Sequence, residues 1–298
     1  MNTSAPHNKS RGLARVIPGV AASDGAGVKL RRSLGNSQNV RLDPFLMLDE
    51  FGTENPDDYI AGFPPHPHRG FETVTYMIDG RMQHRDHLGN VGDLGPGGVQ
   101  WMSAGRGVIH SEMPQQDRGR MRGFQLWINL PAAEKMKPAS YRDIPPAEIP
   151  VHDLPQGGRV KVIAGTTTVG AARIEGPING ATARLSTDPL YLDVELPPGS
   201  SFEQPITAGH NAFVYVYEGA VAIASRDGER PLPAQAAGVL EREGDTVRIV
   251  ASANGARFVL LAARPLGEPI VQYGPFVMNT REEIETAIRD YQSGRLTG

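Results

Sequence analysis

The chain has 298 residues, 39% of them apolar, and a formal net charge of −3 from 30 basic and 33 acidic side chains. That length suits two domains of about 150 residues each, and the near-balance of charge gives no footprint for nucleic acid or an anionic membrane. Cysteine is absent. This excludes disulfides, thiolate zinc sites, iron–sulfur clusters and cysteine nucleophiles, and any metal site must draw on His, Asp or Glu.

The first dozen residues are polar and are expected to be loose. They contain no apolar core of a secretory signal, and no later run approaches the ~18 apolar residues of a membrane span. With the lack of cysteine, this predicts a cytoplasmic protein. The 35 glycines and 25 prolines cut the chain into short apolar stretches, the pattern of an all-β protein built as sandwiches or barrels. Strands are expected at 14–18, 70–78, 98–103, 108–112 and 123–130. Beyond them come 160–164, 190–196, 211–218, 220–224, 246–251 and 256–262. Proline and charge crowd the interval 131–155, which reads as the link between halves. The boundaries drawn are an N-terminal domain 1–135, a linker 136–155 and a C-terminal domain 156–298.

One segment is plainly helical. Thr280 and Glu283 form a capping box, Ile284, Ala287, Ile288 and Tyr291 form an apolar stripe, and Gly294 ends it. The halves also echo each other. Residues 62–80 and 198–219 each run from a glycine–proline loop through a β-rich strand into a turn, as a duplicated β-barrel would. The second copy keeps a single histidine, His210, read as a packed core residue or the relic of a ligand.

The chemistry concentrates in His66-Pro67-His68 and His110-Ser111-Glu112. Side chains at i and i+2 of a strand share a face, so two such strands can close four ligands around one ion. Imidazole and carboxylate together suit Fe, Mn, Ni, Cu or Zn. Glu72 has the same parity as His66 and His68, and spacing alone leaves open whether Glu72 or Glu112 takes the carboxylate position. His84 and His87, in the polar stretch QHRDHLGN, read as solvated turn histidines ahead of residues lining the mouth of the barrel, and His152 as linker. Arg69 and Arg106 read as loop braces ahead of a role in steering anions, and Trp101 and Trp127 as core or as walls of an apolar pocket. No dinucleotide fingerprint, P-loop or serine elbow is present.

The stretches GFPPHPHRGFETVTYMIDG, QWMSAGRGVIHSEMP, GFQLWINLP and GPFVMNTREEI resemble the pirin family of the cupin superfamily, and they run across nearly the whole chain. The resemblance implies a bicupin: two jelly-roll-like β-barrels, a metal in the first, a degenerate second, and a short C-terminal helix. It places the metal ligands on His66, His68, His110 and Glu112, leaves Glu72 as a neighbour, and makes the metal one divalent transition ion, usually iron. One departure, Gly98 where the family often has aspartate, lies outside the ligand set. The activity implied is that of a quercetin 2,3-dioxygenase, with a small aromatic substrate and dioxygen as reactants and Glu112 as the catalytic base. The alternative is a non-enzymatic, metal- or redox-switched regulator that binds other proteins. A sugar-phosphate isomerase would need a basic cluster that Arg69 and Arg106 alone do not make.

Overall fold

The computed structural model describes residues 9–37, 40–180, 184–225 and 228–298. It is built of antiparallel strands, with one α-helix near the C-terminus among the described residues. No helix there is long and apolar enough to cross a membrane. The chain divides into two compact units, Val20–Glu148 with Leu266–Gly298, and Ile149–Pro265 with the residues up to Gly19.

This division differs from the chain-order boundaries expected above. The C-terminal helix, Arg281–Gln292, was expected in the second domain and belongs to the first unit. Its buried Ile284 and Ala287 pack with Phe276, Met278 and Leu296, and Ile109 packs against that cluster. Conversely, the strand Leu13–Pro18 pairs with Ala236–Leu240 and belongs to the second unit. Residues 1–8 of the stretch expected to be loose lie outside the described residues. Arg11, in the same stretch, is fully buried and donates to the His210 and Gly244 carbonyls at 2.6 and 2.9 Å. The interval 136–155 is no plain linker either. It carries the strands Ser140–Ile144 and Val151–Asp153, which pair with Val99–Ser103 and Arg159–Ala164. Both sit at sheet edges, where flanking prolines cost no ladder bonds.

In the first unit, one sheet runs in the order Ser140–Ile144, Val99–Ser103, Phe71–Asp79, Met121–Asn129, Phe45–Thr53, Val28–Arg32, Val20–Asp24. A smaller sheet runs Phe63–His68, Val108–Pro114, Met82–Asp86, Val91–Leu94. Val28, Leu30, Phe51, Met77 and Met121 of the first pack with Met82 and Leu94 of the second, so apolar side chains from both sheets fill the space between them.

The chain leaves the smaller sheet for the larger at Arg69-Gly70. Gly70 has φ +91, and a Cβ there would lie 2.0 Å from the Val277 carbonyl oxygen. The C-terminal segment crosses this point. Val277 N–H donates to Arg69 O at 3.0 Å, and Lys135 Nζ donates to Gly70 O, Val277 O and Asn129 Oδ1 at 2.7, 3.0 and 2.6 Å. Gly70→Ala is therefore expected to cost roughly 2–4 kcal/mol through backbone strain and loss of this crossing. The melting temperature should fall by about 5–10 °C, with residues 266–298 becoming open to limited proteolysis.

The second unit is organised by two long strands, Asn211–Ser225 and Thr246–Ala263, paired along most of their length. Each was expected as two shorter strands. Bulges at 216–218 and 219–221 carry the pairing through Gly219, where the sequence suggests a stop. Alternate residues Leu192, Val194 and Leu196, with Val214, Val216, Phe258 and Leu260, point into one core, and the intervening Tyr191, Tyr215, Val259 and Leu261 are buried as well, so both faces of the sheet are dry here.

Candidate metal centre

The histidines converge because two strands of the smaller sheet put them there. His66 and His68 are two apart on Phe63–His68, and the antiparallel partner Val108–Pro114 sets His110 directly opposite His66. The three rings lie with centroids 4.4–4.9 Å apart, and their donor atoms are all within 4.8 Å of one another. Among the described residues this is the cluster of His, Asp and Glu suited to a metal ion.

The ring nitrogens fit a small cation. His66 Nδ1 lies 2.8 Å from the Pro64 carbonyl, so it carries the proton and donates, leaving Nε2 bare. That Nε2 is 3.0 Å from His68 Nε2. Two imidazoles sharing one ion at about 2.1 Å and a right angle would stand about 3.0 Å apart. His110 Nε2 is buried without a hydrogen-bond partner, a deficit that a cation would remove. Burial, and then His66, holds the His68 ring well below the usual imidazole range, with the Pro275 backbone acting in the opposite sense. Burial, followed by His68, His66 and His84, does the same to His110. Both shifts favour the neutral ring, the form a metal requires.

Glu112 reaches the same place by a different route. The register shift puts its extra residue on Phe63–His68, so Glu112 stands opposite Phe63. Its own strand pairs with Met82–Asp86 without interruption, which keeps Glu112 on the His110 face, though its carboxylate is absent from the group within 4.8 Å. It is 5% exposed, lines a cavity together with His66 and His68, and accepts a 2.8 Å hydrogen bond from Thr75 Oγ1. Thr75 Oγ1 is in turn 2.6 Å from the side-chain amide of Gln125, another residue of the cavity wall. The sequence gives no signal for Thr75 or Gln125, which are ordinary strand residues until the pairing of Thr75 with Gln125 brings them together.

Glu72 points elsewhere. The positive φ of Gly70 breaks the strand between His68 and Glu72, so the parity that linked them is lost. Its carboxylate accepts from Trp101 Nε1 at 3.1 Å and lies 3.6 Å from Lys137 Nζ. Burial pushes its pKa up, against the Lys137 charge.

His84 corrects the reading of a solvated turn. It is 2% exposed, lies on Met82–Asp86 opposite Glu112, and stacks on Tyr141 at 5.2 Å and 14°. Its Nδ1 faces His110 Nδ1 at 3.3 Å. The turn follows it, and His87 is exposed there. His152 lies on an edge strand rather than in a linker. Arg69 braces as expected, donating to the Arg106 carbonyl and pairing with Asp290 at 2.9 Å.

The cavity beside the imidazoles holds about 610 Å³, within the usual range for small-molecule sites. Trp127, Phe51, Phe63 and Leu30 give it apolar walls. Its polar wall carries Arg32 against Asp24, Asp49 and Glu112, and Arg32 is already bonded to Asp49 and Asp24 at 2.7–2.8 Å.

In the second unit His210 is buried with Nε2 3.6 Å from Asp188. Burial lowers its pKa, opposed by Asp188 and assisted by Arg264 and Arg11. Below the ordinary value of about 6.5 the unfolded chain takes up this proton first, so stability falls as pH drops from there towards the folded value. Calorimetry of metal-loaded protein between pH 7 and 5 should show a shallower loss for His210→Gln than for the unaltered chain.

Comparison with known proteins agrees with the architecture. The Pirin family matches residues 27–128 and the Pirin C-terminal cupin domain residues 191–297. A Pseudomonas aeruginosa protein provisionally named as a quercetin 2,3-dioxygenase is 54% identical over 96% of this chain and 98% of its own length. A Caulobacter vibrioides pirin-like protein is 51% identical, covering 96% and 99%. The crystal structure of a quercetin 2,3-dioxygenase from Acinetobacter baumannii superposes with a TM-score of 0.85 at 32% identity, over 96% of this chain and 98% of that one. With both cupin domains matched and more than half the residues shared with full-length relatives, the chain belongs to the pirin family and has its bicupin fold.

Proposed function

We propose that the protein is a metal-dependent dioxygenase that opens the central ring of a flavonol such as quercetin with dioxygen, releasing carbon monoxide. The observation that carries the reading is the cluster of three imidazoles beside an aromatic-lined cavity whose wall also carries the Glu112 carboxylate. His66, His68 and His110 would hold the metal, with Glu112 as the fourth ligand. The relatives named for this activity support the reaction class.

A bound divalent iron, nickel, manganese, copper or zinc would supply a Lewis acid that acidifies a coordinating hydroxyl. The chain's residues do the rest. Glu112 accepts the proton of the flavonol 3-hydroxyl, with Thr75 steadying the carboxylate oxygen it bonds. Trp127 and Phe51 flank the ring system and keep water from it. The polar wall selects against anions, because its one arginine is committed to Asp24 and Asp49. A sugar-phosphate substrate finds no free cation there, which argues against the isomerase reading.

The test is oxygen uptake with quercetin, followed by loss of its near-ultraviolet band and by carbon monoxide release. Protein loaded separately with each of the five metals is compared with metal-free protein. Turnover by at least one metal form is the expected result. If every form leaves quercetin and dioxygen unchanged, the flavonol assignment fails.

A further inference from the structure

Each imidazole of the centre has a second nitrogen, and what that nitrogen meets decides which tautomer the ring adopts. For His66 the partner is a backbone carbonyl, which can only accept. For His110 it is another imidazole, with the two Nδ1 atoms 3.3 Å apart. A neutral pair in that geometry needs the proton on one side and a lone pair on the other. If His84 Nδ1 carried the proton, His110 would hold its own on Nε2, and the atom facing the centre could bind nothing.

We propose that His84 is a positioning residue of the metal centre: it accepts the His110 Nδ1 proton and so keeps His110 Nε2 bare. This rests on the reading that the three imidazoles hold a metal. His84 must then carry its own proton on Nε2, a buried atom without a hydrogen-bond partner that lies 3.7 Å from the Asp86 carboxylate, beyond a hydrogen bond but near enough for the negative charge to favour a proton there. Asp86 is fixed as an acceptor by the turn that follows it. It takes hydrogen bonds from Leu88 N–H at 2.9 Å, Asn90 N–H at 3.0 Å and Asn90 Nδ2 at 2.8 Å. The arrangement with the proton on His110 Nδ1 leaves a lone pair at the centre, and the Asp86 charge beside His84 Nε2 favours it over the reverse.

The register builds this chain. In the pairing of Met82–Asp86 with Val108–Pro114, Asp86 stands opposite His110 and His84 opposite Glu112. Tyr141 stacked on His84 holds the ring plane. A core histidine without such a role would be replaceable by an apolar side chain of similar size with no effect on metal affinity.

The experiment measures Co²⁺ and Ni²⁺ affinity by competition with a chromophoric chelator in the unaltered protein, His84→Leu and His84→Asn. Asparagine puts an amide oxygen near the place of Nδ1 and restores the acceptor; leucine removes it. His84→Leu should bind on the order of 10–100-fold more weakly, and His84→Asn should recover most of that loss. In the unaltered Co²⁺ protein, proton NMR should show a slowly exchanging ring N–H on His110 Nδ1, a readout that needs no variant to fold. Three results would overturn the proposal while leaving the metal reading intact: unchanged affinity in the leucine variant, equal losses in both variants, or an unprotonated His110 Nδ1. If the unaltered protein binds neither ion, the metal reading fails and the proposal falls with it.

Discussion

Alanine at His68 or His110 is expected to remove metal and turnover together while the metal-free fold survives. Structural metal sites with four ligands bind with free energies on the order of 10–16 kcal/mol. Shared over four donors, this is about 3–4 kcal/mol each, or on the order of 10²–10³ in affinity. The fold should tolerate the change because both side chains already have a buried nitrogen without a hydrogen-bond partner. Such an atom costs free energy in the metal-free protein, and its removal offsets part of the packing lost. Differential scanning calorimetry separates the two effects. Metal at 100 times its dissociation constant stabilises the unaltered protein by about 2.7 kcal/mol, and the melting temperature of either variant should not respond at that concentration. Equal metal-induced shifts in variant and unaltered protein would remove these imidazoles from the centre.

The sequence made the triad legible because strand periodicity is local. His66 and His68 share a face whatever else the chain does, and so do His110 and Glu112, whose strand pairs with Met82–Asp86 without a shift. The carboxylate was the candidate that spacing left open, since the turn at Gly70 is silent in a parity argument and made Glu72 a rival to Glu112. His84 was misread for a related reason. The polar stretch around it resembles a turn, and its burial follows from pairing with the His110 strand and from Tyr141 above it. The alternation of buried Met82 and His84 with exposed Arg85 was a usable signal, obscured by the charged residues that follow. The exchange of terminal segments between units had no local mark, since Leu13 pairs with Leu240. The capping box of the C-terminal helix was readable to the residue, and the unit to which that helix belongs was not.

Glu112→Gln should separate the two duties proposed for this side chain. Glutamine retains an oxygen that can ligate but cannot take a proton at neutral pH, so at saturating metal the turnover of quercetin should fall by about 10²–10⁴, the usual worth of a positioned general base. Metal affinity should fall far less than in the histidine variants. Thr75→Val probes the same carboxylate from behind. It deletes the 2.8 Å hydrogen bond without touching a ligand, and a bond to a charged acceptor is worth about 1.5–3 kcal/mol. At least a tenfold loss of turnover is therefore expected, with metal content unchanged. Glu72→Gln is the control, because its carboxylate faces Trp101 and Lys137 and its loss should leave turnover at saturating metal close to that of the unaltered protein. If Glu112→Gln, fully loaded with metal, turns over quercetin at the unaltered rate, the proton is taken by another group and Glu112 keeps at most the role of a ligand.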